Sequence, residues 1–310
     1  MSHLATFWGE QTQIRTIRCA TGEMVNPIGA AGARRVRCAP TCNVLSGSFM
    51  HMVVRALPGQ RPLEAADEVR WMMKRLRSAW PRALAACVMP NHLHLLIEAA
   101  QPSVQRVRLA RIVAAFGRHF GRGRLWEPVP QPVRVPDRKH LQRTVRYVLL
   151  NPSRARLVSD PLCWAPSTLR GIIGAEFDPW VSASRLAAAL GERWSSTRWV
   201  HAYVSRDPDA VGTARSFPRA APPSDIPRVP VNDIIVAVKA ATPWSSAPVR
   251  RHGLVLLAWA QGWRDAELLA RVAGVSTRQI YRLAQDPQPA LLAACALCLG
   301  DVRLRTGLPG

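Results

Sequence analysis

Tyrosine is nearly absent from this chain, and so is lysine. Three tyrosines, Tyr147, Tyr203 and Tyr281, stand among 310 residues, so chemistry that needs a phenol has few places to find one. Lysine occurs only at Lys74, Lys139 and Lys239, which leaves arginine to supply the rest of the 42 basic residues. Arginine is the better bidentate ligand for phosphate; a GC-rich genome would give the same bias with no function behind it, and both readings stand. Acidic residues number only 20, so the formal net charge is +22 and the pI about 11.4. So one-sided a balance implies a polyanionic partner, most simply nucleic acid. No run of 18 apolar residues occurs, so no membrane span is expected. The 7 cysteines, an odd number without framework spacing, point away from a disulfide scaffold and read as reduced thiols of a cytoplasmic protein. Cys295-x-x-Cys298 lies in an Ala/Leu-rich helical stretch with no partner pair nearby and reads as core rather than zinc ligand.

What the chain does have is Val88-Met89-Pro90-Asn91-His92-Leu93-His94-Leu95-Leu96-Ile97. From His92 onward this is a strand, with its proline kept outside. Side chains alternate faces with period two, so His92 and His94 project to one side and Leu93 and Leu95 to the other. One reading is a pair of satisfied, half-buried histidines. The other is a rigid sheet presenting two neutral imidazoles to a divalent metal.

Taken in order, residues 1–47 show no sustained period and read as a basic, disordered leader, with Met24 and Met50 as alternative starts. Phe49–Ala56 alternates as a strand and closes at Pro58-Gly59. Pro62–Trp80 has helical spacing, Ala83–Val88 is a second strand, and Pro102–His119 is an amphipathic helix with a basic face. The order β-α-β-β-α predicts an α+β fold, a ferredoxin-like antiparallel sheet backed by helices. Residues 121–136 form a basic loop, carrying Arg122 and Arg124, with room for a short strand. Asp137–Leu150 is the next helix, expected to stop at Asn151-Pro152. Tyr147 and Asn151, four residues apart, share one of its faces.

Arg146-Tyr147-Val148-Leu149-Leu150-Asn151-Pro152-Ser153-Arg154-Ala155-Arg156-Leu157-Val158 resembles the tyrosine-helix motif of the REP-associated tyrosine transposases. Met89-Pro90-Asn91-His92-Leu93-His94 resembles the His-hydrophobic-His signature of the same single-tyrosine branch of the HUH endonucleases. The resemblance extends over residues 48–205, and it departs from the family pattern at Trp164-Ala165-Pro166-Ser167-Thr168 and at His51–Ala56. It implies an HUH nuclease fold, Tyr147 as nucleophile, and a divalent cation, Mg²⁺ or Mn²⁺, held by His92, His94 and Asn151. The implied activity is single-strand DNA nicking and rejoining through a 5′-phosphotyrosine, on single-stranded or hairpin DNA. Arg146, Arg154 and Arg156 flank the nucleophile and could hold phosphates, or equally form a solvated face. His51, His119 and His140 each stand alone in their segments and are read as outside the site.

Residues 206–230 are rich in proline and read as a linker. Residues 231–310 are expected to form a small all-α domain. Within it Asp265–Ala273, a turn at Gly274, and Ser276–Gln285 match a helix-turn-helix whose second helix exposes Arg278, Gln279 and Arg282 to DNA; an ordinary helical hairpin is the plainer reading. The competing function is a non-catalytic DNA-binding regulator derived from a transposase. Either would act as a monomer or homodimer in the cytoplasm, held to the bacterial nucleoid by DNA and not by a membrane.

Overall fold

Alternation at the start of the ordered chain gives β1 (Phe49–Arg55), whose Met50, Met52 and Val54 are buried while Arg55 is exposed. A computed structural model describes residues 47–207, 209–211 and 216–307, all within one compact unit of the chain. The leader expected over 1–47 lies outside the described residues, save Gly47.

After β1 come α1 (Ala66–Ala79), β2 (Ala85–Met89), β3 (His92–Glu98), α2 (Pro102–His119), β4 (Val133–Val135) and α3 (Arg138–Arg154). The protein is α+β. Its sheet has four antiparallel strands in the order β2-β3-β1-β4, the arrangement of a split βαβ unit. Cross-strand pairing sets Val53 opposite His94 and Arg55 opposite His92, and Cys87 opposite His94 on the other side. One face therefore carries His51, Val53, Arg55, Cys87, Met89, His92 and His94. The other carries Met50, Met52, Val54, Leu93, Leu95 and Ile97, continuous in one core with Val69 and Met72 of α1 and Leu109 and Phe116 of α2. Each such side chain contributes roughly 1.5–3 kcal/mol by leaving water. α3 lies across the histidine face, against β2 and β3, burying Leu141, Val145, Val148 and Leu149.

The free edge of β2 is covered by residues 164–168, which follow a 3₁₀ turn. Val88 N–H donates to Pro166 O (2.8 Å), Trp164 Nε1 to Val88 O (2.9 Å), and Ala86 N–H to Thr168 Oγ1 (3.1 Å). Covering the edge removes a template for unwanted strand pairing.

α3 does not stop at Leu150 but runs to Arg154, through Pro152. Proline has no N–H to give the ladder. That costs one rung, and the helix ends two residues on with Leu157 N–H on Pro152 O (3.0 Å) and Arg156 N–H on Ser153 O (2.9 Å), a Schellman pairing. Arg156 takes φ 56° in that motif, where glycine is favoured. Arg156→Gly should therefore raise the unfolding free energy by about 0.5–1 kcal/mol. A urea melt reads this, and a lower midpoint would contradict it.

Short helices α4 (Leu169–Ile172), α5 (Ala183–Leu190) and α6 (Thr197–Ser205) follow, then α7 (Val231–Ala241), α8 (Ala247–Ala260), α9 (Ala266–Ala273), α10 (Thr277–Ala284), α11 (Pro289–Gly300) and α12 (Val302–Arg305). α9 and α10 are capped by Asp265 on Leu268 N–H and Ser276 on Gln279 N–H, and Gly274 turns between them at φ 66°. The proline-rich stretch before α7 runs along these helices: Ala221 N–H donates to Ala296 O (2.9 Å) and Ser224 N–H to Ala260 O (2.9 Å). It passes so close to Gly262 that a Cβ there would lie 2.5 Å from the Ile226 carbonyl carbon. Cys295 and Cys298 are buried free thiols, and burial pushes both up to about 12. No described helix is long and apolar enough to cross a membrane.

Candidate active site

α3 brings Tyr147 and Asn151 down onto the histidines of β3. The Tyr147 ring meets the His94 ring edge-on at 5.4 Å between centroids, and Asn151 Nδ2 lies 2.6 Å from His94 Nε2. His94 is almost wholly buried, His92 and Tyr147 partly so. These four, two from β3 and two from α3, form one cluster.

A fifth member is His51 on β1. Its Nε2 lies 3.1 Å from His94 Nδ1, its ring stacks on that of His94 at 5.3 Å, and Tyr147 meets it edge-on at 6.0 Å. His51 is opposite Leu96, hence diagonal to His94, a separation that ring side chains on one sheet face can span. The histidine therefore belongs to the site that the sequence reading left it out of. Alternation along β1 places His51, Val53 and Arg55 on one face, but only the β1–β3 register shows that this is the histidine face. His140, a further histidine read as solitary, lies near enough to His51 to disfavour its protonation.

With the Asn151 and Asn91 amides oriented as they stand, the tautomers of the histidines follow. An amide Nδ2 can only donate, so His94 Nε2 accepts, its proton is on Nδ1, and it donates to His51 Nε2. Asn91 Oδ1 can only accept, so His92 donates from Nδ1 (2.7 Å) and its Nε2 also carries a lone pair. Burial, then the nearby His140, holds His51 down at about 4. Burial, then the Arg55 guanidinium, does the same to His92. Burial, then His51, His92 and Arg55, holds His94 well below the ordinary range. All three are neutral at neutral pH.

That neutrality has a cost in acid. A histidine whose folded pKa is depressed is protonated first in the unfolded chain, so its contribution is complete above about pH 6.5 and is lost as pH falls toward 4. The metal-free protein should lose about 1.4 kcal/mol per pH unit for each such histidine in that window. Urea midpoints at pH 7.5, 5.5 and 4.5 (assay conditions spanning the window, roughly) would fall together, and a flat profile would contradict the assignment.

The donor set suits a divalent metal. His92 and His94 share a tautomer with Nε2 unprotonated, and each Nδ1–H is held by a second residue, the arrangement that orients metal-binding imidazoles. Turning the Asn151 amide would offer Oδ1 beside them. Among the described residues no group of three or more His, Cys, Asp and Glu side chains could hold a metal, so a cation here would rest on two imidazoles and an amide oxygen.

The predicted arginines divide. Arg154 lies over the Tyr147 ring (5.9 Å) and pairs with Asp207 (3.3 Å), which also faces Arg146 (3.7 Å). Arg156 is exposed just beyond. Arg122 instead reaches back to the buried Glu68 carboxylate (2.5 Å), while Arg124 is exposed on the loop that pairs with the end of β1 at Ala56 and Trp126. Arg278 and Arg282 are exposed on α10, which packs against α8 and α9, and Gln279 is half-buried. Asp207 carried no signal in the sequence: it is one of two aspartates in Arg206-Asp207-Pro208-Asp209, at the start of the proline-rich stretch.

No family model matches the chain, and no curated protein does. It is similar to a solved structure of a REP-associated tyrosine transposase bound to a REP hairpin, with 19% sequence identity and a TM-score of 0.34, over 45% of this chain and 82% of that one. Overlap at that level leaves the reading of the site to its own geometry.

Proposed function

We propose that this chain is a metal-dependent tyrosine transposase that nicks and rejoins single-stranded or hairpin DNA, on the HUH nuclease fold its motifs resemble. The observation that carries the reading is the meeting of a phenol, an amide and two like-tautomer imidazoles from α3 and β3.

Tyr147 is the nucleophile. Its Oη bonds to phosphorus as the P–O3′ bond breaks, leaving a 5′-phosphotyrosine and a 3′-hydroxyl; the phenol gives up its proton and the departing O3′ gains one. A divalent cation, Mn²⁺ or Mg²⁺, held by His92, His94 and Asn151, would polarise a non-bridging phosphate oxygen and offset the charge that builds there. His51 and Asn91 hold the two imidazoles in the tautomer that leaves Nε2 unprotonated, and the Asn151 amide would turn away from His94 Nε2 to admit the cation. Arg154, Arg146 and Arg156 bind the flanking phosphates; Arg124 adds to that surface, and Arg122 would join it by exchanging the Glu68 carboxylate for a phosphate. α10, with Arg278, Gln279 and Arg282, contacts paired DNA. Because His94 is buried and Tyr147 half-buried, a stacked duplex cannot bring its phosphate in without opening.

The test is to incubate the full chain with labelled single-stranded hairpin oligonucleotides and Mn²⁺ or Mg²⁺, and to look for a covalent adduct on a denaturing gel. A metal-dependent adduct is expected. Tight hairpin binding with no adduct under any metal would leave the regulator reading in its place. Metal loading is read separately, by Mn²⁺ paramagnetic resonance, and should weaken in His94→Ala.

A further inference from the structure

Beside the tyrosine site, α6 carries a second aromatic group that catalysis does not use. Trp199 and Tyr203, one helical turn apart, stack at 5.1 Å with 11° between their planes. Trp194, fully buried, supports both edge-on at 4.9 and 5.4 Å, so the pair is held in place from beneath while its members remain half-exposed. Arg193 lies over Trp199 (4.6 Å), and Arg206 (4.8 Å) and Arg146 (5.8 Å) lie over Tyr203.

The stack is continuous with the nucleophile. Arg146 and Asp207 link Tyr203 to Arg154, which lies over Tyr147. Four guanidinium groups thus line a path that includes one carboxylate in contact with them, Asp207. Among the described residues Arg193 and Arg206 form no ion pair. Flat aromatic and guanidinium surfaces, alternating along a cationic path, match the repeat of a single nucleic-acid strand, in which bases stack and phosphates need neutralising. A duplex keeps its bases stacked on each other and has nothing to offer Trp199.

We infer that Trp199, Tyr203, Arg193 and Arg206 form a stacking platform for the unpaired DNA strand next to the phosphate presented to Tyr147. This rests on the tyrosine-transposase reading for the position of the strand. Bases would stack in place of, or upon, the guanidinium layers of Arg193 and Arg206, while Arg146 and Arg154 exchange Asp207 for phosphate.

The test uses the full chain carrying Tyr147→Phe, so that nothing is captured covalently. Its probes are a labelled blunt hairpin, the same hairpin with a single-stranded tail on either side, and an oligo-dT strand, read by fluorescence anisotropy. A tail should tighten binding about tenfold, and Trp199→Leu should remove that gain and weaken oligo-dT binding by a similar factor, with Trp199→Phe retaining it. Blunt-hairpin affinity should stay as it is. Since Trp199→Leu could loosen the packing on Trp194, Arg193→Ala/Arg206→Ala, which alters only outward layers, should reproduce the loss in a protein of unchanged melting temperature. A tail that adds nothing, or variants that bind tailed and blunt DNA with the original difference, would overturn the platform. The adduct assay with Tyr147 present separates the two readings: an adduct with no tail dependence removes the platform alone, whereas a tail dependence lost in Trp199→Leu with no adduct removes the transposase reading alone.

Discussion

Tyr147→Phe should abolish the covalent protein–DNA adduct at every metal and DNA concentration while the protein still binds hairpin DNA. Phenylalanine keeps the ring that meets His94 and His51 edge-on and loses only the oxygen that would attack phosphorus. Tyr203 and Tyr281 cannot stand in: the first is stacked on Trp199 and the second is exposed on α10 against Trp259. A residual adduct in Tyr147→Phe would mean another nucleophile. His51→Ala separates a positioning role from a structural one. His51 holds the His94 proton on Nδ1, and removing such a partner typically lowers metal affinity or activity about 10- to 100-fold. Mn²⁺ affinity should fall accordingly, and His51→Gln, which keeps an acceptor for that proton, should recover part of it; a purely structural role would move the melting temperature and leave Mn²⁺ affinity untouched.

The second large effect concerns stability. Arg303, on the short last helix α12, donates to Asp160 Oδ2 (2.9 Å) and to Asp301 (2.6 Å). Asp160 is buried and also caps the turn at Leu162 N–H (2.8 Å), close to the strand edge that residues 164–168 cover. Arg170, buried too, donates to Thr306 O (2.8 Å) and Arg303 O (3.1 Å). Arg303→Ala leaves Asp160 charged and buried, a change that costs about 3–5 kcal/mol in such settings. Equilibrium urea unfolding measures it. Asp160→Leu with Arg303→Met removes the buried charge at 160 along with its partner and should return part of the loss, the remainder reflecting Asp301 left without Arg303 and Leu162 N–H left without its cap. If Arg303→Ala costs under about 1 kcal/mol, the pair behaves as a solvated surface bridge.

Local pattern was enough for much of this molecule. Apolar alternation marks β1 and β3, and helical spacing marks α1 and α2, because burial of one face imposes its period on the residues. The same rule placed His92 and His94 on one face and Tyr147 and Asn151 on another. α3 runs a turn longer than its sequence suggests: Pro152 costs the ladder one rung, and the Arg156 and Leu157 amides close the end on the Ser153 and Pro152 carbonyls. Arg122, exposed by any reading of a Gly-Arg-Gly-Arg loop, is drawn onto Glu68, whose position on α1 no local rule connects to it.

The sequence by itself determined which residue types share a strand face or a helix face, and the strong positive charge that implies a polyanionic partner, because both depend only on neighbours and composition. Only the tertiary structure decided that the face of α3 bearing Tyr147 and Asn151 lies on the histidine face of the sheet, that His51 completes the cluster and assigns its tautomers, and that Asp207 joins Arg146 to Arg154. Those contacts depend on strand register and on how a helix crosses a sheet. Both are set by the packing of the whole core, where residues far apart in the chain must fill one space together.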